Sequence, residues 1–168
     1  NPTGTYLKRD EIIKLLKTIP KHIVLVIDGA YAEYVLEDDF DKSFSLSDEF
    51  ENIIFTRTFS KCYGLAGLRI GWCYSSKRIS SILNQVKGPF NTTNFSQSIA
   101  IAALKDQEHI SKVVKKNIEV KNWFEKELSK LSIKTIKSVA NFSFLEMSID
   151  KANKIANHLM LDRIIVRQ

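Results

Sequence analysis

Two apolar runs, about thirty residues apart, constrain this chain most. His22 to Ile27 is rich in Ile and Val and Asn52 to Arg57 in Ile and Phe, and each stops abruptly in polar residues. A short continuous apolar run reads as a strand covered on both faces, the habit of parallel sheets. The first run ends in Asp28-Gly29-Ala30-Tyr31 and the second in Thr58-Phe59-Ser60-Lys61. Open α/β sheets place ligands just beyond the carboxyl ends of their strands. The pattern therefore predicts both a fold and the edge at which chemistry occurs.

Helical spacing fills the intervals. Asp10 to Lys17 carries Ile12, Ile13, Leu15 and Leu16 among lysines, and Lys77 to Val86 starts after Ser75-Ser76 and stops at Gly88-Pro89. Between them, Glu37 to Asp48 reads as an acidic surface loop, and Leu68 to Tyr74 as a third strand with Trp72 in the core. Beyond Pro89 to Asn94 the texture changes. Helices over Ser96 to Leu104 and Glu108 to Leu131 are predicted, the latter with Trp123 and Phe124 inside. Strands at Ile133 to Lys137 and Phe142 to Met147, a helix at Lys151 to Leu161 and a strand at Ile164 to Arg167 follow. Alternating strand and helix argue for an α/β unit with a mainly parallel sheet over 1–90, followed by a smaller α+β domain over 91–168.

Composition excludes several classes. A chain of 168 residues that is 44% hydrophobic can bury a core, and no apolar run approaches a membrane span. The net charge of +6 comes from lysines scattered along helices among glutamates, without the arginine and aromatic interleaving of a nucleic-acid surface. Cys62 and Cys73 form no CxxC pair, and His22, His109 and His158 lack metal-ligand spacing. A reducing cytoplasm is the expected compartment. The chain opens on a turn, Asn1-Pro2-Thr3-Gly4, and stops after an apolar stretch, so it reads as a piece of a longer protein.

The polar residues at the strand ends form a chemical set. A pyridine cofactor bearing an aldehyde and a phosphate needs an amine for a Schiff base and a carboxylate for the ring nitrogen. It also needs a phenol or amide for the ring oxygen, and hydroxyls with a forked guanidinium for the phosphate. Lys61, Asp28, Tyr31, Asn1, Thr58, Ser60 and Arg69 supply each part. This reading requires a buried amine, an acid and a guanidinium to converge.

The three blocks Asn1-Pro2-Thr3-Gly4, Asp28-Gly29-Ala30-Tyr31 and Ser60 to Gly71 resemble, in order and spacing, the signatures of fold-type I aminotransferases dependent on pyridoxal 5′-phosphate (PLP). The resemblance spans essentially the whole chain. It implies that Lys61 carries the cofactor and shuttles a proton, that Asp28 pairs with the pyridine nitrogen, and that Tyr31 and Asn1 bond the ring hydroxyl. It further implies that Thr58, Ser60 and Arg69 hold the phosphate, with Gly64 and Gly67 letting the backbone bend round it.

Gly64 to Arg69, Lys87 to Asn91 and Ala140-Asn141-Phe142 are similar to tracts of the histidinol-phosphate branch of that family. That likeness implies transfer of an amino group from L-histidinol phosphate to 2-oxoglutarate by a homodimer. Arg167 and Asn141 would be substrate contacts, although Arg167 could equally be a surface arginine ending a strand and Asn141 a buried polar group satisfying backbone. The same motifs also suit aromatic aminotransferases, threonine-phosphate decarboxylases and PLP-sensing domains of transcription regulators. Cys62, beside Lys61, reads as a small packed residue and alternatively as a reactive thiol.

Overall fold

The structure is a computed structural model that describes residues 1–167. Helix α1, Arg9–Thr18, buries Ile12 and Leu16, one turn apart, and is capped by Glu11 Oε2 accepting from the Lys8 N–H at 2.8 Å. Strand β1, Leu25–Asp28, pairs in parallel with β2, Ile53–Thr58, and β2 pairs antiparallel with β3, Gly71–Ser75. The described strands run in the order β1-β2-β3, with one parallel and one antiparallel pair. A one-turn helix, α2 (Leu46–Glu49), lies in the crossover from β1 to β2.

On β2 the side chains alternate. Ile53, Phe55 and Arg57 point inward, while Ile54, Thr56 and Thr58 face the other side. Ile12, Leu16, Leu46, Ile53 and Phe55 form one core cluster. The expected acidic loop is therefore not wholly at the surface: Leu46 is fully buried because it plugs this core, and Asp41, five residues earlier, is buried too.

Helix α3 spans Lys77–Val86, with Ser76 accepting from the Ile79 N–H, and α4 spans Asn94–Lys105, capped by Thr93. Helix α5, Gln107–Lys130, is the longest, and its Ile110 and Val114 pack against Tyr34 and Cys62. A two-stranded sheet of β4, Lys134–Ile136, and β5, Phe144–Glu146, precedes α6, Ile149–Leu161. The opening turn is tied to this second part by Val139 N–H donating to the Gly4 carbonyl at 2.8 Å. Gly4 has φ +81° and its missing Cβ would collide with Ser138, so no other residue fits there.

Several expectations fail for a common reason. Residues 22–24 precede β1 instead of belonging to it, and Val26 is half exposed although a strand covered on both faces was expected. Within the described residues, β1 is an edge strand with one open face. Trp72, Trp123 and Phe124, expected in the core, are exposed at 38%, 61% and 40%. Ile164 to Arg167 forms no strand, because no described segment pairs with it. Apolar patterning marks faces suited to burial, and these faces have no covering element among residues 1–167. The lysine-rich helices carry local ion pairs, Lys112–Glu108, Lys116–Glu119 and Lys130–Glu127, as a solvated surface does. No described helix is long and apolar enough to cross a membrane.

Candidate active site

Because β1 and β2 run parallel in register, with Asp28 opposite Thr56, their carboxyl ends share one edge of the sheet. Asp28 closes β1. Its Oδ1 accepts from the Ala30 N–H at 3.1 Å and from Thr56 Oγ1 at 3.5 Å, an Asx turn that orients the carboxylate. Three residues on, the Tyr31 hydroxyl accepts from Asn1 Nδ2 at 3.4 Å. The Lys61 ammonium lies 5.3 Å from the centroid of the Tyr31 ring, and Phe142 stands edge-on to that ring at 5.3 Å. Asn1, Asp28, Tyr31 and Lys61 therefore form one group, assembled from the opening turn, the end of β1 and the loop after β2.

The link from β2 to β3 carries the rest. Thr58 Oγ1 accepts from the Ser60 N–H at 3.1 Å, while Phe59 N–H reaches the Ile70 carbonyl and Leu65 N–H the Phe59 carbonyl. These bonds fold the link back on itself, with Gly64 at φ +69° making the turn. Gly67 shows no such need: its φ is not left-handed. Arg69 adopts a left-handed backbone, φ +50°, and its Nη1 donates to the Ala66 carbonyl at 2.8 Å. A non-glycine residue held there costs about 1 kcal/mol, strain that collects at ligand sites.

Lys61 is exposed, which corrects the expectation of a buried amine. Its neighbour Cys62 takes the inward position, 2% exposed, and thereby turns Lys61 to the open side. Burial pushes the Cys62 thiol up to about 11 and the Tyr34 phenol beside it up to about 12. Cys62 is thus the packed residue and not a reactive thiol. Burial also raises the Glu33 carboxyl above the usual carboxylate range and lowers the Arg57 guanidinium.

A cavity of about 240 Å³ opens beside Asn1, Asp28 and Tyr31 and runs along the free edge of β1 past Val26. Ser60, Lys61 and Arg69 do not line it, and it is smaller than a typical cofactor pocket of some 300 Å³ or more. The polar groups, not this cavity, define the site. They comprise a primary amine, an oriented carboxylate and a phenol–amide pair grouped at one sheet edge and, on the link from β2 to β3, hydroxyls with a guanidinium whose Nη1 is bonded to the Ala66 carbonyl. That set fits a planar ring with a carbonyl and an anionic tail.

Arg167 stands apart, whereas Asn141 lies near the group, bonded to Tyr34 and next to Phe142. Arg167 is exposed in the stretch after α6, with no recorded contact to the group above. Asn141 is exposed as well, not buried. It lines a second cavity with Asn117, Lys121 and Phe142, where Lys121 Nζ donates to the Ser138 and Ala140 carbonyls. One residue escaped the sequence reading altogether: Arg57 is buried on the inward face of β2. The signal was there, because Arg57 follows Ile53 and Phe55 at the strand's period of two.

The family model of class I and II aminotransferases matches residues 1–168. A histidinol-phosphate aminotransferase of Caldicellulosiruptor saccharolyticus is 42% identical over 167 residues, 99% of this chain and 46% of that protein. One from Pelagibacter ubique is 44% identical over 169 residues, 99% of this chain and 47% of that protein. The crystal structure of the Sinorhizobium meliloti histidinol-phosphate aminotransferase in complex with pyridoxal 5′-phosphate superimposes with a TM-score of 0.92 at 29% identity. It covers 99% of this chain and 46% of its own. The chain spans about half the length of the relatives it matches.

Proposed function

The chain belongs to the class I and II aminotransferase family, with its PLP-dependent fold-type I architecture, and from that premise we propose that the whole protein moves an amino group from L-histidinol phosphate to 2-oxoglutarate, with PLP as cofactor. The observation that carries this reading is the group at one sheet edge: Asp28, Tyr31 with Asn1, and Lys61 over the Tyr31 ring.

When bound, the cofactor supplies an electron sink for the bond broken at the substrate Cα. The chain supplies the rest. Lys61 Nζ holds the cofactor and then accepts and returns the proton, as a general base and acid. Asp28, its Oδ1 fixed by the Ala30 N–H, would face the ring nitrogen and favour its protonated form. The Tyr31 hydroxyl and Asn1 Nδ2, which bond each other here, would hold the ring oxygen. Thr58, Ser60 and Arg69 would hold the phosphate, the hydroxyls by hydrogen bonds and the guanidinium by charge-assisted ones. Arg167 and Asn141 remain candidates for the substrate's own anion.

The proposal includes two lobes, 1–90 and 91–168, consistent with the separate sheets β1-β2-β3 and β4-β5. It also includes a cytoplasmic homodimer that binds neither nucleic acid nor membrane; here the support is the resemblance and the locally paired lysines. The test compares histidinol phosphate, phenylalanine and aspartate as donors to 2-oxoglutarate with the full-length protein. A kcat/KM for histidinol phosphate at least about a hundredfold above the others is expected. Equal or better use of the other donors would overturn the substrate and leave the class standing.

A further inference from the structure

We propose that Arg57 is a positioning residue: its buried guanidinium sets the turn from Asp28 to Tyr31, and so aligns the acid and the phenol that meet the ring. This inference rests on the cofactor reading above. Arg57 is 7% exposed, on the inward face of β2. Its Nη1 donates to the Thr56 carbonyl at 2.9 Å, and the Gly29 N–H donates to the same carbonyl at 3.1 Å. One acceptor, with its two lone pairs, thus holds both the arginine and the residue after Asp28. The guanidinium also occupies the space that a Cβ on Gly29 would need. Its carbon lies 4.7 Å from the Phe44 ring centroid, a cation–π contact that helps hold the group in place.

A buried cation needs compensating charge. Glu33, Asp41 and Asp28 are the acids that act on Arg57. Glu33 Oε2 and Asp41 Oδ2 are buried without a hydrogen-bond partner, and no ion pair within 4 Å joins either to Arg57 among the described residues. The arginine is therefore not locked to one carboxylate. Its hydrogen bond goes to the Thr56 carbonyl, the acceptor it shares with the Gly29 N–H of the turn that follows Asp28.

The experiment uses the full-length protein as wild type, Arg57→Met and Arg57→Lys. Hydrogen exchange of the 28–31 amides is measured without cofactor, and the pH midpoint of the bound cofactor's absorbance band with it. In Arg57→Met the amides should exchange at least about tenfold faster. The midpoint should move by at least about half a unit, and kcat should fall about tenfold with KM within about twofold. Arg57→Lys, which keeps the charge but loses the fork, should fall between, about threefold faster in exchange. A folded Arg57→Met with wild-type exchange and midpoint would overturn the proposal. If Arg57→Met does not fold, wild-type values in Arg57→Lys would overturn it, since charge alone would then suffice. A wild-type protein that shows no cofactor band defeats the cofactor reading instead, and the exchange data without cofactor still judge Arg57.

Discussion

Raising the pH should disarm the packing that turns Lys61 outward, and the size of the effect follows from Cys62. Its thiol sits in a cluster with Tyr34, Ile110 and Val114 and is pushed by burial from 9.0 to about 11. At pH 8, a thiol near 9 is about one-tenth thiolate, whereas one near 11 is about a thousandth, a hundredfold difference in the reactive form. Alkylation of Cys62 by iodoacetamide, followed by mass spectrometry, should therefore run at least about a hundredfold slower in the folded protein than in urea. The sign for stability follows from the same shift. The folded state holds this proton longer than the unfolded state, so stability is unaffected below about pH 9 and falls as pH rises through about 11. Two units correspond to about 3 kcal/mol, with Tyr34, up to about 12, extending the loss higher. Cys62 labelling as fast in the folded state as in urea would refute the reasoning and restore the reactive thiol beside Lys61.

Further outcomes follow from other residues. Asp28→Asn should lower kcat at least about a hundredfold while urea unfolding changes by less than about 0.5 kcal/mol, because the carboxylate is exposed. Arg69→Lys should weaken PLP binding about tenfold by fluorescence titration, since one point charge replaces the fork. Leu46→Ala, which empties a fully buried site between α1 and β2, should cost about 3 kcal/mol in urea denaturation. Thr93→Ala removes the side chain that accepts from the Ser96 N–H at 3.0 Å and should cost about 1 kcal/mol in the same assay.

Local chemistry made much of this fold legible. Lys77–Val86 is bounded as expected, since Ser76 caps one end and Gly88-Pro89 closes the other. Helix α5 ends within a residue of the expected bounds because its apolar stripe is long and regular. The misreadings concern partners, not elements. Trp72 and Trp123 carry the apolarity of core residues, yet apolarity does not name what lies against them. Ile164 to Val166 has strand composition without a described strand to pair with. At the site, the three blocks brought Asn1, Asp28, Tyr31 and Lys61 into one reading because each stands at a strand end or turn that topology places together. The outward turn of Lys61 was not legible, since it depends on α5, some fifty residues further along, burying Cys62. Arg57 was overlooked because a charge at the end of an apolar run resembles a strand terminus until the period of two is counted.

The central claim is that Lys61 holds the cofactor amid Asp28, Tyr31 and Asn1. Borohydride reduction of the full-length protein incubated with PLP, followed by peptide mapping, tests it most directly. The account predicts one pyridoxyl group on the peptide containing Lys61, absent in Lys61→Ala. A label on any other lysine, or none at all, would contradict it.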